Sequence, residues 1–243
     1  MAAARGDIVV VVDVLSFSTT LSIAVARGST CLVYSPAEVD QLGGLETAAA
    51  SLGARPLNKT RRVPAGQLSL SPASLLTAEP GQRVLFTSLN GAAVTAAAAA
   101  SPALLVGCLR NATATAESAA RLLAAGMARR VTVVACAEQW ATVQRGTSGM
   151  RPALEDWFGA GLICARLEER GLTLSAEARV AAAAAACHDA EILSDCVSAR
   201  ELRARGFGDD VTLALEVDAG DYVPMRIDGE DAGRLFAAAA RVS

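Results

Sequence analysis

Asp13 closes the apolar run Ile8-Val9-Val10-Val11-Val12 and is followed at once by Ser16, Ser18, Thr19 and Thr20. A carboxylate in that place can hold a hard metal ion, and hydroxyls with amides at the opening of a helix can hold a phosphate. Three further junctions have the same polar character: Thr87, Ser88, Asn90 and Gly91; Arg110 and Asn111; Arg151, Glu155 and Asp156. Together the residue types suit phosphoryl chemistry. Magnesium takes a few carboxylates plus water and substrate oxygens, and Asp13 with the Glu155-Asp156 pair supplies such ligands. Arginines and backbone N–H groups around the phosphate stabilise the charge of an in-line displacement. Arg110 or Arg151 can clamp a carboxylate or sulfonate with two parallel hydrogen bonds, which makes the substrate a small, doubly anionic acid.

Each residue alone has a plainer reading. An Asp after a strand often caps the next helix, acids in a first helical turn complement the dipole, and Asn-Gly is a turn. Ser18, Thr19 and Thr20 can be a cap and two helix residues, and the arginines can be surface ion-pair partners. The functional reading rests on joint position. If the strands are parallel neighbours, all four junctions face one crevice beyond the carboxyl ends of an open sheet.

The elements that must position these residues follow from the same sequence. The Val-rich run is a strand buried on both faces, and Ser18 is expected to cap a helix that runs to Arg27 and stops at Gly28. Thr30 to Tyr34 reads as a strand. Ser35-Pro36-Ala37-Glu38 is a capping box opening a helix to about Ser51, with Gly43-Gly44 as its weak point. Arg55 to Leu70 reads as irregular and carries Arg55, Lys59, Arg61 and Arg62, either a solvated loop or a flap over an anionic site. Ser71-Pro72 starts a short helix, Arg83 to Thr87 and Leu104 to Gly107 are strands, and Asn111 caps a helix ending near Gly126. Val131 to Ala137 is a strand. The connection from Glu138 to Pro152, with Arg145, Gly146 and Gly149, is too long for a simple turn and so a candidate functional loop. A helix is expected from about Ala153 to Arg170, and Ser175 to about Arg205 is helical in two or more pieces, stopped by Gly206. Val211 to Val217 alternates like a strand, and Met225 to Ile227 is another, with Asp228-Gly229 as a turn. The alternation of strands and helices predicts an α/β fold: three α/β/α layers around a largely parallel sheet, with antiparallel pairs at the C-terminal end. The chain is expected to be one domain spanning 1–243, or two lobes dividing near residue 170.

Composition narrows the function. The chain has 243 residues, a net charge of −3 and 4% aromatics, so neither a basic surface for phosphate backbones nor stacking platforms for bases are expected, and nucleic acid is excluded as a partner. Its longest apolar-looking tract, Gly91 to Cys108, is broken by Thr95, Ser101 and Pro102, so no membrane association is expected. No targeting signal is recognisable, and the expected compartment is the cytoplasm. The six cysteines have no C-x-x-C spacing and read as free thiols, Cys31, Cys108 and Cys136 in or beside strands. His188 is the single histidine, which removes multi-histidine metal centres. The expected partner is a small phosphorylated acid, and self-association is left open.

No G-x-x-x-x-G-K-[ST], G-x-G-x-x-G or G-x-S-x-G motif is present. The strand ending in Asp13 is similar to the nucleophile strand of haloacid-dehalogenase-type phosphatases, although that family's second Asp falls on Leu15. A closer likeness spans nearly the whole chain. Val12-Asp13-Val14-Leu15 with Ser18-Thr19-Thr20, Ser88-Leu89-Asn90-Gly91, Gly107-Cys108-Leu109-Arg110-Asn111-Ala112, and Leu154-Glu155-Asp156 with Gly159-Ala160-Gly161 resemble, in order and spacing, the 2-phosphosulfolactate phosphatase family. Leu68 with Ser71-Pro72, the segment Gly206-Phe207-Gly208-Asp209-Asp210-Val211, and Val223-Pro224 extend the resemblance. It implies a magnesium-dependent phosphatase of α/β/α fold acting on phosphate esters of 2-hydroxy acids. Asp13, Glu155 and Asp156 are then the metal-binding and catalytic residues. Ser16, Ser18, Thr19, Thr20, Ser88, Asn90 and Gly91 surround phosphate, and Arg110, Asn111 and Arg151 grip the acid end. The chain departs from the family in three places. Ser16 stands where an Arg usually follows Asp-Val-Leu. The middle-loop Glu-Arg-Gly-Gly has no counterpart, the nearest residues being Thr60, Arg61 and Arg62. The chain starts almost on the first motif, where the family usually has an earlier strand, which reads as a late start. Two other readings stay open: a non-catalytic binder of phosphorylated or acidic metabolites, and a haloacid-dehalogenase-like phosphatase.

Overall fold

Strand β1 (Ile8–Val12) is buried along its whole length because β6 (Leu104–Gly107) and β7 (Val131–Ala135) flank it in parallel. A strand hydrogen-bonded on both sides and covered on both faces has no polar side, and five consecutive β-branched residues satisfy that condition. The computed structural model describes residues 2–58, 60–64, 67–139, 149–187, 190–227 and 234–239; Lys59, Arg145, Gly146, His188 and the Asp228-Gly229 turn lie outside them.

The β1 side chains alternate between two cores. Ile8, Val10 and Val12 join a cluster with Ala112, Ala116 and Ala119 of α6 (Ala112–Ala124) and Ile163 and Leu167 of α7 (Leu154–Glu169). Val9 and Val11 face Phe17, Leu21 and Val25 of α1 (Phe17–Ala26) and Ala92 of α5 (Gly91–Ala97). Helices therefore cover both faces, as expected of a doubly wound sheet.

The sheet has nine strands in the order β4-β3-β5-β2-β11-β10-β6-β1-β7. Here β2 is Thr30–Tyr34, β3 Arg55–Asn58, β4 Leu68–Ser69, β5 Arg83–Thr87, β10 Pro224–Arg226 and β11 Leu235–Ala238. The antiparallel C-terminal pair was anticipated, but it sits in the middle of the sheet. β11 pairs with β2 and β10 with β6, so the hairpin joins two parallel halves.

Four local expectations are corrected. The helix from Pro36 breaks at Gly43-Gly44, whose φ values are +88° and +95°, into α2 (Pro36–Gln41) and α3 (Leu45–Ser51). The segment read as irregular contains the short parallel strands β3 and β4, beyond which comes α4 (Pro72–Leu76). Ser16, not Ser18, is the residue before α1. Val211 to Val217 is no strand. Helix α11 (Gly208–Ala214) buries Asp210, Val211 and Ala214, a three-to-four-residue spacing that the apparent alternation conceals. The remaining helices, α8 (Ala176–Ala186), α9 (Ala190–Ser194) and α10 (Val197–Ala204), follow the expected division into pieces. A two-strand hairpin, β8 (Glu138–Gln139) with β9 (Met150–Arg151), brackets the long connection. No described helix is long and apolar enough to cross a membrane.

Candidate active site

The loop leaving β1 folds back on itself. The Asp13 amide donates to Ser18 Oγ at 2.9 Å, and the Ser18 amide donates to the Asp13 carbonyl at 2.8 Å. The Asp13 carboxylate accepts from the Phe17 amide and, at 3.0 Å through Oδ2, from the Gly91 amide at the start of α5. Gly91 can come this close because it has no side chain. A Cβ there would lie 2.2 Å from Phe17 Cδ1. The first two junctions thus converge on one carboxylate.

The fourth junction reaches the same place. Gly159 lets α7 press onto β1, since a Cβ there would lie 3.0 Å from Val14 Cγ2 and 3.1 Å from Val12 Cγ1. That approach sets Asp156, one turn earlier, so that its Oδ1 accepts from the Val14 amide at 2.7 Å. Glu155 is buried beside it and accepts from the Cys196 thiol at 3.3 Å. Glu138, from β8, adds a further acid and accepts from Asn90 Nδ2 at 2.8 Å.

Asp13, Glu155 and Asp156 are buried, and with half-buried Glu138 their negative charges act on Asp13 and Asp156. Burial, then the charges of Glu138 and Glu155, push the Asp13 carboxyl up to about 7 against the opposing pull of the Phe17 and Gly91 amides. Burial, then Asp13 and Glu155, raise Asp156 well above the usual carboxylate range. Such a site favours a proton or a cation. Among the described residues no three His, Cys, Asp or Glu side chains are already gathered as a metal cage. Magnesium does not need one: it is held by one or two carboxylates, with water and substrate oxygens completing the shell. Hard oxygen donors at Asp13 and Asp156 have that chemistry.

The other residues singled out from sequence divide. Thr19 Oγ1 donates to the Val14 carbonyl at 2.8 Å, and Thr20 Oγ1 donates to the carbonyls of Ser16 (2.8 Å) and Leu70 (3.1 Å). With Ser18 they are fully buried and hold the shape of the loop that carries Asp13. Ser88 is half-buried at the mouth of α5, and Thr87 Oγ1 beside it is buried with no hydrogen-bond partner among the described residues. Arg110 is turned to the end of α11, donating to the Leu213 carbonyl at 2.8 Å and pairing with Glu216. Asn111 is a strut: Oδ1 accepts from the Cys108 amide at 2.8 Å and Nδ2 donates to the Tyr222 carbonyl at 3.1 Å. Arg151, across the hairpin from Glu138, donates to Ser198 at 3.1 Å and pairs with Glu201 at 3.3 Å, tying β9 to α10.

Sequence reasoning did not pick out Glu138, Asp210 or Ser71 as site residues, and it saw Arg61 only within a basic stretch and among the residues nearest the missing Glu-Arg-Gly-Gly. Arg61 Nη2 donates to Ser16 Oγ, and Nη1 pairs at 2.5 Å with Asp210, a residue that the sequence carried only in the segment Gly206 to Val211 of the family resemblance. Ser71 Oγ donates to the same carboxylate at 2.5 Å. A cavity of about 850 Å³ lies elsewhere, along the outer edge of β7, with Arg5, Arg129, Arg130 and Trp157 in its wall. Glu177 is its one acid among the described residues, so the carboxylate chemistry is not there.

Acids gathered beyond the carboxyl end of β1, which is flanked by β6 and β7 in an open sheet with helices on both faces, make this an α/β protein with its candidate site in the crevice where such folds bind ligands. A family model described as 2-phosphosulpholactate phosphatase matches residues 2–229, and the chain belongs to that family of phosphatases. No curated protein matches it.

Proposed function

We propose that the protein is a magnesium-dependent phosphatase that hydrolyses the phosphate ester of a small 2-hydroxy acid of the 2-phosphosulfolactate type. The observation that carries this reading is the meeting of Asp13 and Asp156 at the end of β1, two buried carboxylates with raised proton affinity in a chain of a phosphatase family. When bound, magnesium supplies the positive charge that a phosphoryl group needs as its ester bond lengthens. Asp13 and Asp156 would hold it. The Gly91 and Phe17 amides keep the Asp13 carboxylate oriented, and the Val14 amide does the same for Asp156. Glu138 and Glu155 keep the region negative, which favours a cation over a vacant site.

Hydrolysis of 2-phospholactate, followed by phosphate release with and without EDTA, tests the reading. The expected result is turnover that EDTA abolishes and added magnesium restores, with a loss of roughly 100-fold or more in Asp13→Asn. Full activity with EDTA present, or in Asp13→Asn, would sink the metal mechanism. Thermal stabilisation by phosphate esters with no turnover would identify a binder instead.

A further inference from the structure

Two guanidinium groups, those of Arg61 and Arg62, lie over Phe207 near the site. Arg61 lies 5.6 Å and Arg62 5.8 Å from the ring centroid, and Arg62 Nη2 donates at 3.2 Å to the carbonyl of Arg205, whose own charge acts on Arg61. Asp210 is the acid bonded to Arg61. It is itself fixed by Ser71 Oγ and, at 3.3 Å, by the Ala73 amide.

We propose that Arg61, with Arg62 beside it, grips the second anionic group of the substrate, the carboxylate or sulfonate of the acid whose phosphate ester is held at Asp13. The inference rests on the phosphatase reading and moves the acid grip away from Arg110 and Arg151, whose hydrogen bonds run to α11 and to α10. Reach is the first argument. Arg61 touches Ser16, three residues beyond Asp13, and the Asp13 charge is among those acting on it. Preorganisation is the second. An ion pair on one side and an aromatic face on the other hold the guanidinium in one place, with 15% of its side chain exposed. Capacity is the third. A guanidinium has five N–H donors. Asp210 and Ser16 take one each, and the others have no partner among the described residues. A carboxylate or sulfonate, with two oxygens side by side, matches that fork. Arg62, exposed at the same ring, adds charge that draws an anion in.

The test compares 2-phospholactate, which carries the second anion, with phenyl phosphate, which does not, in the wild type, Arg61→Gln and Arg61→Lys. In Arg61→Gln, kcat/KM for 2-phospholactate should fall roughly 10- to 100-fold. Phenyl phosphate should fall much less, so that the preference for the acid-bearing ester shrinks. Arg61→Lys keeps the charge beside Asp210 but not the fork, so a strap that only holds Asp210 should be restored by it on both esters alike, whereas an anion grip should recover only part of the loss and only on 2-phospholactate. An equal fall on both esters, or none, overturns the proposal. Calorimetric titration of the same two ligands covers failure of the phosphatase reading. If neither ester is turned over, the proposal still requires the wild type to bind 2-phospholactate more tightly than phenyl phosphate and Arg61→Gln to lose that difference. Equal binding of the two by the wild type rules it out.

Discussion

Asp13 concentrates the physics of the site in one carboxyl group, and its proton gives a measurable handle. An unperturbed Asp titrates near 3.8, whereas in the folded chain Asp13 titrates at about 7, so between those values the native state holds a proton that the unfolded state has lost. Stability must then fall as pH rises through that interval, because the native state binds more protons there. Asp156 acts in the same direction, and after burial Asp13 is the largest influence on it. The metal-free protein should therefore melt at a lower temperature at pH 8 than at pH 5. Asp13→Asn should flatten the profile, since a neutral amide oxygen still accepts from Gly91 and no longer charges Asp156. Added magnesium should raise the melting temperature more at pH 8 than at pH 5, because protons compete with it at the lower value. An unchanged slope in Asp13→Asn, followed by differential scanning fluorimetry across pH, would show that the acids do not titrate as a group.

At the scale of elements, the site depends on how closely helices approach β1 and one another, and glycines set those distances. Gly161 faces α8, where a Cβ would lie 2.2 Å from the Ala181 carbonyl oxygen; Gly91 faces Phe17 at a similar distance. Gly161→Ala should cost about 1–3 kcal/mol by overpacking, read as a shift in urea midpoint, with the activity of the folded fraction retained. Gly91→Ala should lose stability to a like extent and activity as well, because moving α5 withdraws the amide that orients Asp13. Equal effects of the two substitutions on activity would disconnect Gly91 from the site. This also marks where the sequence was readable. The Val-rich run, the capping box at Ser35 and the acids opening α7 are local patterns, and local patterns survived folding. Helix α11 did not show itself, because Val211, Leu213, Leu215 and Val217 alternate by composition while burial follows Asp210, Val211 and Ala214. Strands β3 and β4 are short and lie at and next to one edge of the sheet, with Pro56 in one of them, so no pattern announced them. The Arg61–Asp210 pair joins residues 149 apart, a relation that no spacing rule could reach.

At the scale of the whole molecule, the C-terminal hairpin decides whether the two parallel halves act as one. β10 and β11 lie between β6 and β2, and without them each half would present an open edge in the middle of the sheet. Side chains fasten the hairpin as well. Arg226 donates to the carbonyls of Ala99 (2.5 Å) and Ser101 (2.7 Å), and the Tyr222 carbonyl just before β10 accepts from Ser22 of α1 at 3.4 Å and from Asn111 at 3.1 Å. Phe236 of β11 is buried in the same cluster as Phe17, Val9 and Val11, so the hairpin supports the face of β1 from which the Asp13 loop springs. Phe236→Ala should cost about 3–5 kcal/mol, the range for removing a buried ring from a core. Against a typical total of about 5–15 kcal/mol this is a large share of stability. Urea unfolding followed by circular dichroism should show that loss in one transition, since the sheet is continuous across the hairpin. Two separated transitions would mean instead that the halves fold independently and that the site at the end of β1 does not rely on β2 and its neighbours.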